Sequence, residues 1–153
     1  MAICFFIGHR DTPPSILPRL REAVERHITE YGVNEFVVGK YGSFDRLAAQ
    51  AVREAKQCHP EIRLTLLLPY YDPIKQTEQP GGFDGSLYPG GLENVPRRAA
   101  IVRANQYMVR HCDFLIAYDA GRIGNTRKLV EYARHREREG LIQIENLVDE
   151  LLT

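Results

Sequence analysis

The chain has 153 residues, of which 44% are hydrophobic, enough for one sizeable core and too few for two comfortable domains. Its 20 basic and 20 acidic residues cancel, so overall charge gives no reason to expect a polyanion or a membrane surface as partner. No run approaches the roughly 20 apolar residues of a membrane span, and the apolar stretch at residues 3–7 is too short for a signal peptide, with His9, Arg10 and Asp11 close behind it.

These features predict a cytoplasmic protein with no membrane partner. Cys4, Cys58 and Cys112 lack C-x-x-C spacing and are expected to be reduced structural thiols, with no metal and no cofactor. Charge is nonetheless uneven: residues 97–138 hold ten Arg or Lys against four Asp or Glu. That half suits an anionic ligand.

Residues 3–7 form a first apolar strand ending at Gly8, and a helix follows from Ser15 with Ile16, Leu20, Ala23, Val24 and His27 on one face. Gly8 permits a sharp turn, placing His9, Arg10 and Asp11 in the crevice above a sheet edge. Arg10 can pair with an anion and His9 can move protons near neutral pH; the plainer alternative is a surface Arg10–Asp11 ion pair and a loop histidine. A second strand over residues 35–39 leads to a loop bearing Gly39, Gly42, Ser43 and Asp45, then a helix with Leu47, Ala48, Ala51, Val52 and Ala55 inward. This loop suggests a phosphate-cradling turn without matching G-x-G-x-x-G or the P-loop. Residues 63–68 form a third strand, nearly continuous in apolar character as a strand covered on both faces should be.

Residues 69–96 lose all periodicity and are rich in proline, glycine and tyrosine, which predicts a lid with Tyr70, Tyr71 or Tyr88 free to stack on a flat ring. The pattern resumes with a helix from Arg97 to His111, with Ala100, Ile101, Ala104, Tyr107, Met108 and His111 inward. A strand over 114–117 runs into Asp119, Gly121, Gly124, Asn125 and Thr126. A helix from Thr126 to about Glu139 then carries Leu129, Val130 and Ala133 inward. Free N–H groups at that helix start, beside Asn125 and Thr126, suit a phosphate or a carboxylate; an ordinary capped turn is the alternative. A last strand over 141–144 completes a Rossmann-like three-layer α/β domain with a mostly parallel five-stranded sheet, its ligand crevice at the switch in strand order.

Taken together in order, FFIGHR (5–10), GKYGSFD (39–45), LLLPY (66–70), YPGGLE (88–93), IVRAN (101–105), YMV (107–109), CDFLIA (112–117) and GNT (124–126) resemble the SLOG superfamily, and within it the YpsA-like group. The resemblance implies a Rossmann-like fold, nucleotide or nucleotide-derived ligands and frequent pairing into dimers. Relatives include the Lonely Guy phosphoribohydrolases, the DNA-binding DprA proteins and sensor domains for NAD-derived signals. The Lonely Guy motif P-G-G-x-G-T-x-x-E is absent, since Glu131 lies five residues beyond Thr126.

The expected function is therefore binding of a nucleotide-derived small molecule, as a sensor or regulatory module. The expected ligand-binding residues are Gly8, His9, Arg10, Gly39, Gly42, Ser43, Asp45, Tyr70, Arg103, Gly121, Gly124, Asn125 and Thr126. The alternative is an N-glycosidic hydrolase or transferase using Asp45, Asp119 or Glu131 as its carboxylate. Zero net charge and the lack of interleaved basic and aromatic residues make nucleic acid an unlikely partner on sequence alone.

Overall fold

The computed structural model describes residues 2–70 and 81–148. Six strands form one parallel sheet: β1 Ala2–Gly8, β2 Val33–Val38, β3 Arg63–Leu67, β4 Gly85–Leu87, β5 Phe114–Tyr118 and β6 Gln143–Asn146, in the order β4-β3-β2-β1-β5-β6. Four helices connect them: α1 Leu17–Thr29, α2 Ser43–Lys56, α3 Arg97–His111 and α4 Asn125–Arg138. The chain winds outward from β1 through β2 and β3, then returns to lay β5 on the other side of β1. The switch in direction falls between β1 and β5, where their C-terminal loops part and leave a crevice.

Period-two alternation along β1 divides the core in two. Cys4 and Phe6 face α1 and α2, joining Leu20, Val24, Phe36, Phe44 and Val52. Phe5 and Ile7 face α3 and α4, joining Ala100, Ala104, Met108, Leu115, Leu129 and Val130. Phe5, Phe6, Phe36 and Phe44 are at most 1% exposed, and each such burial favours folding by about 1.5–3 kcal/mol relative to an exposed ring. The sheet is thus covered on both faces, as its apolar strands require.

Three expectations change. The sheet has six strands rather than five, because Gly85-Ser86-Leu87, inside the region expected to be a lid, pairs with Thr65, Leu66 and Leu67 of β3. Glycine and serine have poor strand preference; the pairing is fixed instead by Asp84, whose carboxylate accepts the Leu64 N–H at 2.8 Å and pairs with Lys56. Tyr88 packs against the α3–α4 core and its hydroxyl accepts the Leu92 N–H at 3.2 Å, so its ring is part of the packing and not a cover for the crevice. Tyr71 lies outside the described residues. His111, expected inward on α3, is exposed and lies against Tyr107 at 4.1 Å between rings. Among the described residues no helix is long and apolar enough to cross a membrane, and no cluster of His, Cys, Asp or Glu has the arrangement of a metal site.

Candidate functional site

The loops after β1, β2 and β5 meet on one rim. His9 is the pin between two of them: buried, its Nε2 accepts the Ala120 N–H at 2.9 Å, and its carbonyl accepts both the backbone N–H and the hydroxyl of Thr12. Burial, followed by the nearby Arg122 charge, lowers the His9 pKa and keeps the ring neutral, as an accepting Nε2 requires. A second tie runs from Arg122 to both carboxylate oxygens of Asp11, at 2.8 and 2.9 Å. Asp11 is thereby occupied, and among the described residues Arg10 is left without an acidic partner.

The loop after β2 is sewn to the same place. Ser43 N–H donates to the Arg10 carbonyl at 2.9 Å and Ser43 Oγ donates to the Thr12 carbonyl at 2.8 Å. The approach is close enough that a Cβ on Gly42 would stand 2.6 Å from the Arg10 Cα, so only glycine fits there. The first amide of α2 is therefore already used by the Arg10 carbonyl.

The start of α4 is different. Its N-cap residue is Gly124, with φ 152° and ψ −168°, a conformation that residues with a Cβ rarely adopt, and no side chain caps the helix. Thr126 Oγ1 instead donates to the Gly8 carbonyl at 3.3 Å, holding the helix end against β1. The first-turn N–H groups of α4 therefore open toward the rim.

Between these loops lies a cleft of about 120 Å³, floored by Ile7, Leu67 and Leu129. Gly8 and Arg10 border it from β1, Gly39, Tyr41 and Asp45 from the β2 side, Asn125 and Thr126 from α4, and Ile101, Ala104 and Asn105 from α3. It adjoins a wider groove of about 640 Å³ along α3 that shares Arg10, Ile101, Val102 and Asn125 and adds Arg98, Arg103 and Gln106. α3 carries four arginines and no acid over its fifteen residues, and two of them, Arg98 and Arg103, line this groove with Arg10.

Asp45 is the one acid among the described residues bordering the cleft. Its Oδ2 accepts the Tyr41 N–H at 2.9 Å. Burial outweighs that hydrogen bond and pushes the carboxyl pKa up to about 6. Tyr41 is itself half-buried, its pKa raised first by that burial, and its hydroxyl lies 3.4 Å from that of Tyr70. Arg97 holds Tyr70 in turn: Nε donates to the Tyr70 hydroxyl at 3.1 Å and the guanidinium stacks 4.9 Å from the ring centre.

Of the residues singled out from sequence, Gly8, Arg10, Gly39, Asp45, Asn125 and Thr126 border the cleft, and Arg103 lies on the outer groove. His9, Gly42, Ser43, Gly121, Gly124 and Tyr70 stand behind them, joining loops or supporting Tyr41. Asp119 accepts the Gly121 N–H at 3.0 Å within its own loop, and Glu131 pairs with Arg127 on the exposed side of α4 at 3.1 Å. Neither carboxylate borders the cleft. Tyr41 and Asn105 were not singled out. Tyr41 lies between Gly39 and Gly42, and Asn105 falls one turn after Ile101, a polar residue among the apolar α3 residues that border the cleft.

Among solved structures, the chain superposes on the X-ray structure of DNA processing protein A (DprA) from Streptococcus pneumoniae with a TM-score of 0.63 and 14% identity, covering 99% of this chain and 61% of that one. It also superposes on DNA processing protein A from Helicobacter pylori, a structure reported for a single-stranded DNA binding mode. Here the TM-score is 0.57 and the identity 16%, over 99% of this chain and 71% of that one. The chain thus spans about six-tenths of the pneumococcal protein and about seven-tenths of the other. No family model matches the sequence, and no curated protein does. The Helicobacter pylori structure corrects one expectation: a neutral overall charge is no ground for discounting nucleic acid, because a protein of this fold binds a single strand. The chain carries the Rossmann-like α/β fold seen in the DprA structures.

Proposed function

We propose that the cleft binds the phosphate of a nucleotide, with Arg10 and the open first turn of α4 as its anchor. The observation that carries this reading is their convergence: a guanidinium with no acidic partner among the described residues and an uncapped helix start, with Asn125 and Thr126, border the same small cleft at the strand-order switch. The motif resemblance to the SLOG superfamily and its YpsA-like group supports the same ligand class. A free nucleotide, as a sensor would take, and a nucleotide within a single strand present the same phosphate, and the groove along α3 has room and charge for what lies beyond it.

Titration calorimetry with adenosine monophosphate and with a short oligothymidylate separates the two sources. Arg10→Ala is expected to weaken whichever binds by about 10- to 100-fold, the loss of one charge-assisted hydrogen bond of roughly 1.5–3 kcal/mol. Binding that ignores this substitution would remove the anchor from the account.

A second reading, N-glycosidic hydrolysis of the nucleotide, is favoured by one observation: a carboxylate stands inside the cleft. Asp45 fills that role, and Asp119 and Glu131 do not. Release of free base from adenosine monophosphate, abolished in Asp45→Asn, is its test.

A further inference from the structure

We infer that Asp45 accepts the 2′-hydroxyl of the ligand's sugar, so that the cleft selects a ribonucleotide over its 2′-deoxy counterpart. This rests on the nucleotide-phosphate reading and adds to it a choice of sugar.

The cleft holds a conflict of charge. Arg10 and the start of α4 favour an anion, yet the same cleft contains a carboxylate, which repels one. Asp45 cannot be explained as a salt-bridge partner, since no cation pairs with it among the described residues. Nor does it cap its own helix, because its carboxylate reaches back to the Tyr41 N–H and not to an α2 amide. The space beside it is kept open: a Cβ on Gly39 would stand 3.0 Å from Oδ2, and Gly39 itself borders the cleft.

A phosphate held at the α4 end therefore leaves Asp45 facing another part of the ligand. A carboxylate only accepts hydrogen bonds, so that part must donate. In a nucleotide the donors nearest the phosphate are the sugar hydroxyls, while the base, farther along, has the outer groove of about 640 Å³ to occupy. A site that desolvates an acceptor for a hydroxyl rejects the analogue lacking it, because the acceptor is then left unpaired.

The test compares adenosine monophosphate, 2′-deoxyadenosine monophosphate and ribose 5-phosphate, with inorganic phosphate as the anchor probe, on the wild-type chain and on Asp45→Asn. The wild type is expected to prefer the ribonucleotide by about tenfold or more, with ribose 5-phosphate retaining binding. In Asp45→Asn the preference shrinks while phosphate still binds. Equal affinity for the two nucleotides overturns the inference and leaves the phosphate reading standing, as does a preference that survives Asp45→Asn unchanged. Binding confined to probes carrying the base would move Asp45 to the base's amino group and overturn the sugar assignment. Failure of all four probes overturns this inference, and failure of oligothymidylate as well overturns the phosphate reading with it.

Discussion

Gly8→Ala is expected to destabilise the protein by about 3 kcal/mol, at the upper end of what overpacking a core costs. The methyl carbon would fall 2.2 Å from Phe44 Cγ and 2.4 Å from its Cδ2. Phe44 cannot step aside: it is 1% exposed, lies 6.4 Å from both Phe6 and Tyr118 between ring centres, and opens α2, whose first amide is tied to Arg10. A loss of that size corresponds to a fall in Tm of roughly 6–12 °C in a chain of this length. Gly81→Ala is the control, since a Cβ there meets nothing within 4 Å among the described residues. Thermal unfolding of both variants measures the difference. A Gly8→Ala protein as stable as the control would mean that Phe44 has room the structure does not show.

Asp45→Asn is expected to do the opposite and make the protein more stable at neutral pH while impairing ligand selection. Two effects compete at this position. The first turn of α2 favours a negative charge by about 0.3–1 kcal/mol, whereas burial raises the carboxyl pKa from 3.8 to about 6, which corresponds to about 3 kcal/mol against the ionised form. Burial wins. The sign follows: an acid whose folded pKa lies above its unfolded value binds its proton more tightly when folded, so stability falls as pH rises from about 4 to 6 and stays reduced above that. Asparagine keeps an oxygen for the Tyr41 N–H and carries no charge. Urea unfolding should therefore show a gain of about 2 kcal/mol at pH 8 that vanishes near pH 4. A variant less stable than wild type at pH 8 would show that a cation or the helix start compensates the charge in full. A residue that costs stability and borders a cleft is where function is expected to be found.

Much of this could be read before the structure was known, and for physical reasons. β1, β3 and β5 are apolar runs because both faces of the sheet are covered, and the limits of α3 were legible from its spacing, Pro96 before Arg97 and the aspartate after Cys112. The convergence of the loops follows from parallel topology, so placing Gly8, Arg10, Gly39, Asp45, Asn125 and Thr126 on one rim needed only the order of elements. β4 was hidden because Gly85 and Ser86 join the sheet through Asp84 rather than through preference of their own. Glu131 was separable in principle: Leu129 and Val130 mark the inward face of α4, and a residue five positions past Thr126 is turned about 140° from it. The pinning role of His9 could not be read from sequence because its partner, the Ala120 N–H, is 111 residues away. No local pattern announces such a bond.

The central claim is that the anion site lies where β1, β2 and α4 meet. Amide chemical-shift mapping on the isotopically labelled chain, titrated with adenosine monophosphate, tests it most directly. The account predicts that the largest shifts gather at Gly8, Gly39, Asn125 and Thr126 and are lost in Arg10→Ala. Shifts confined to the outer face of α1, or spread without a centre, would contradict it.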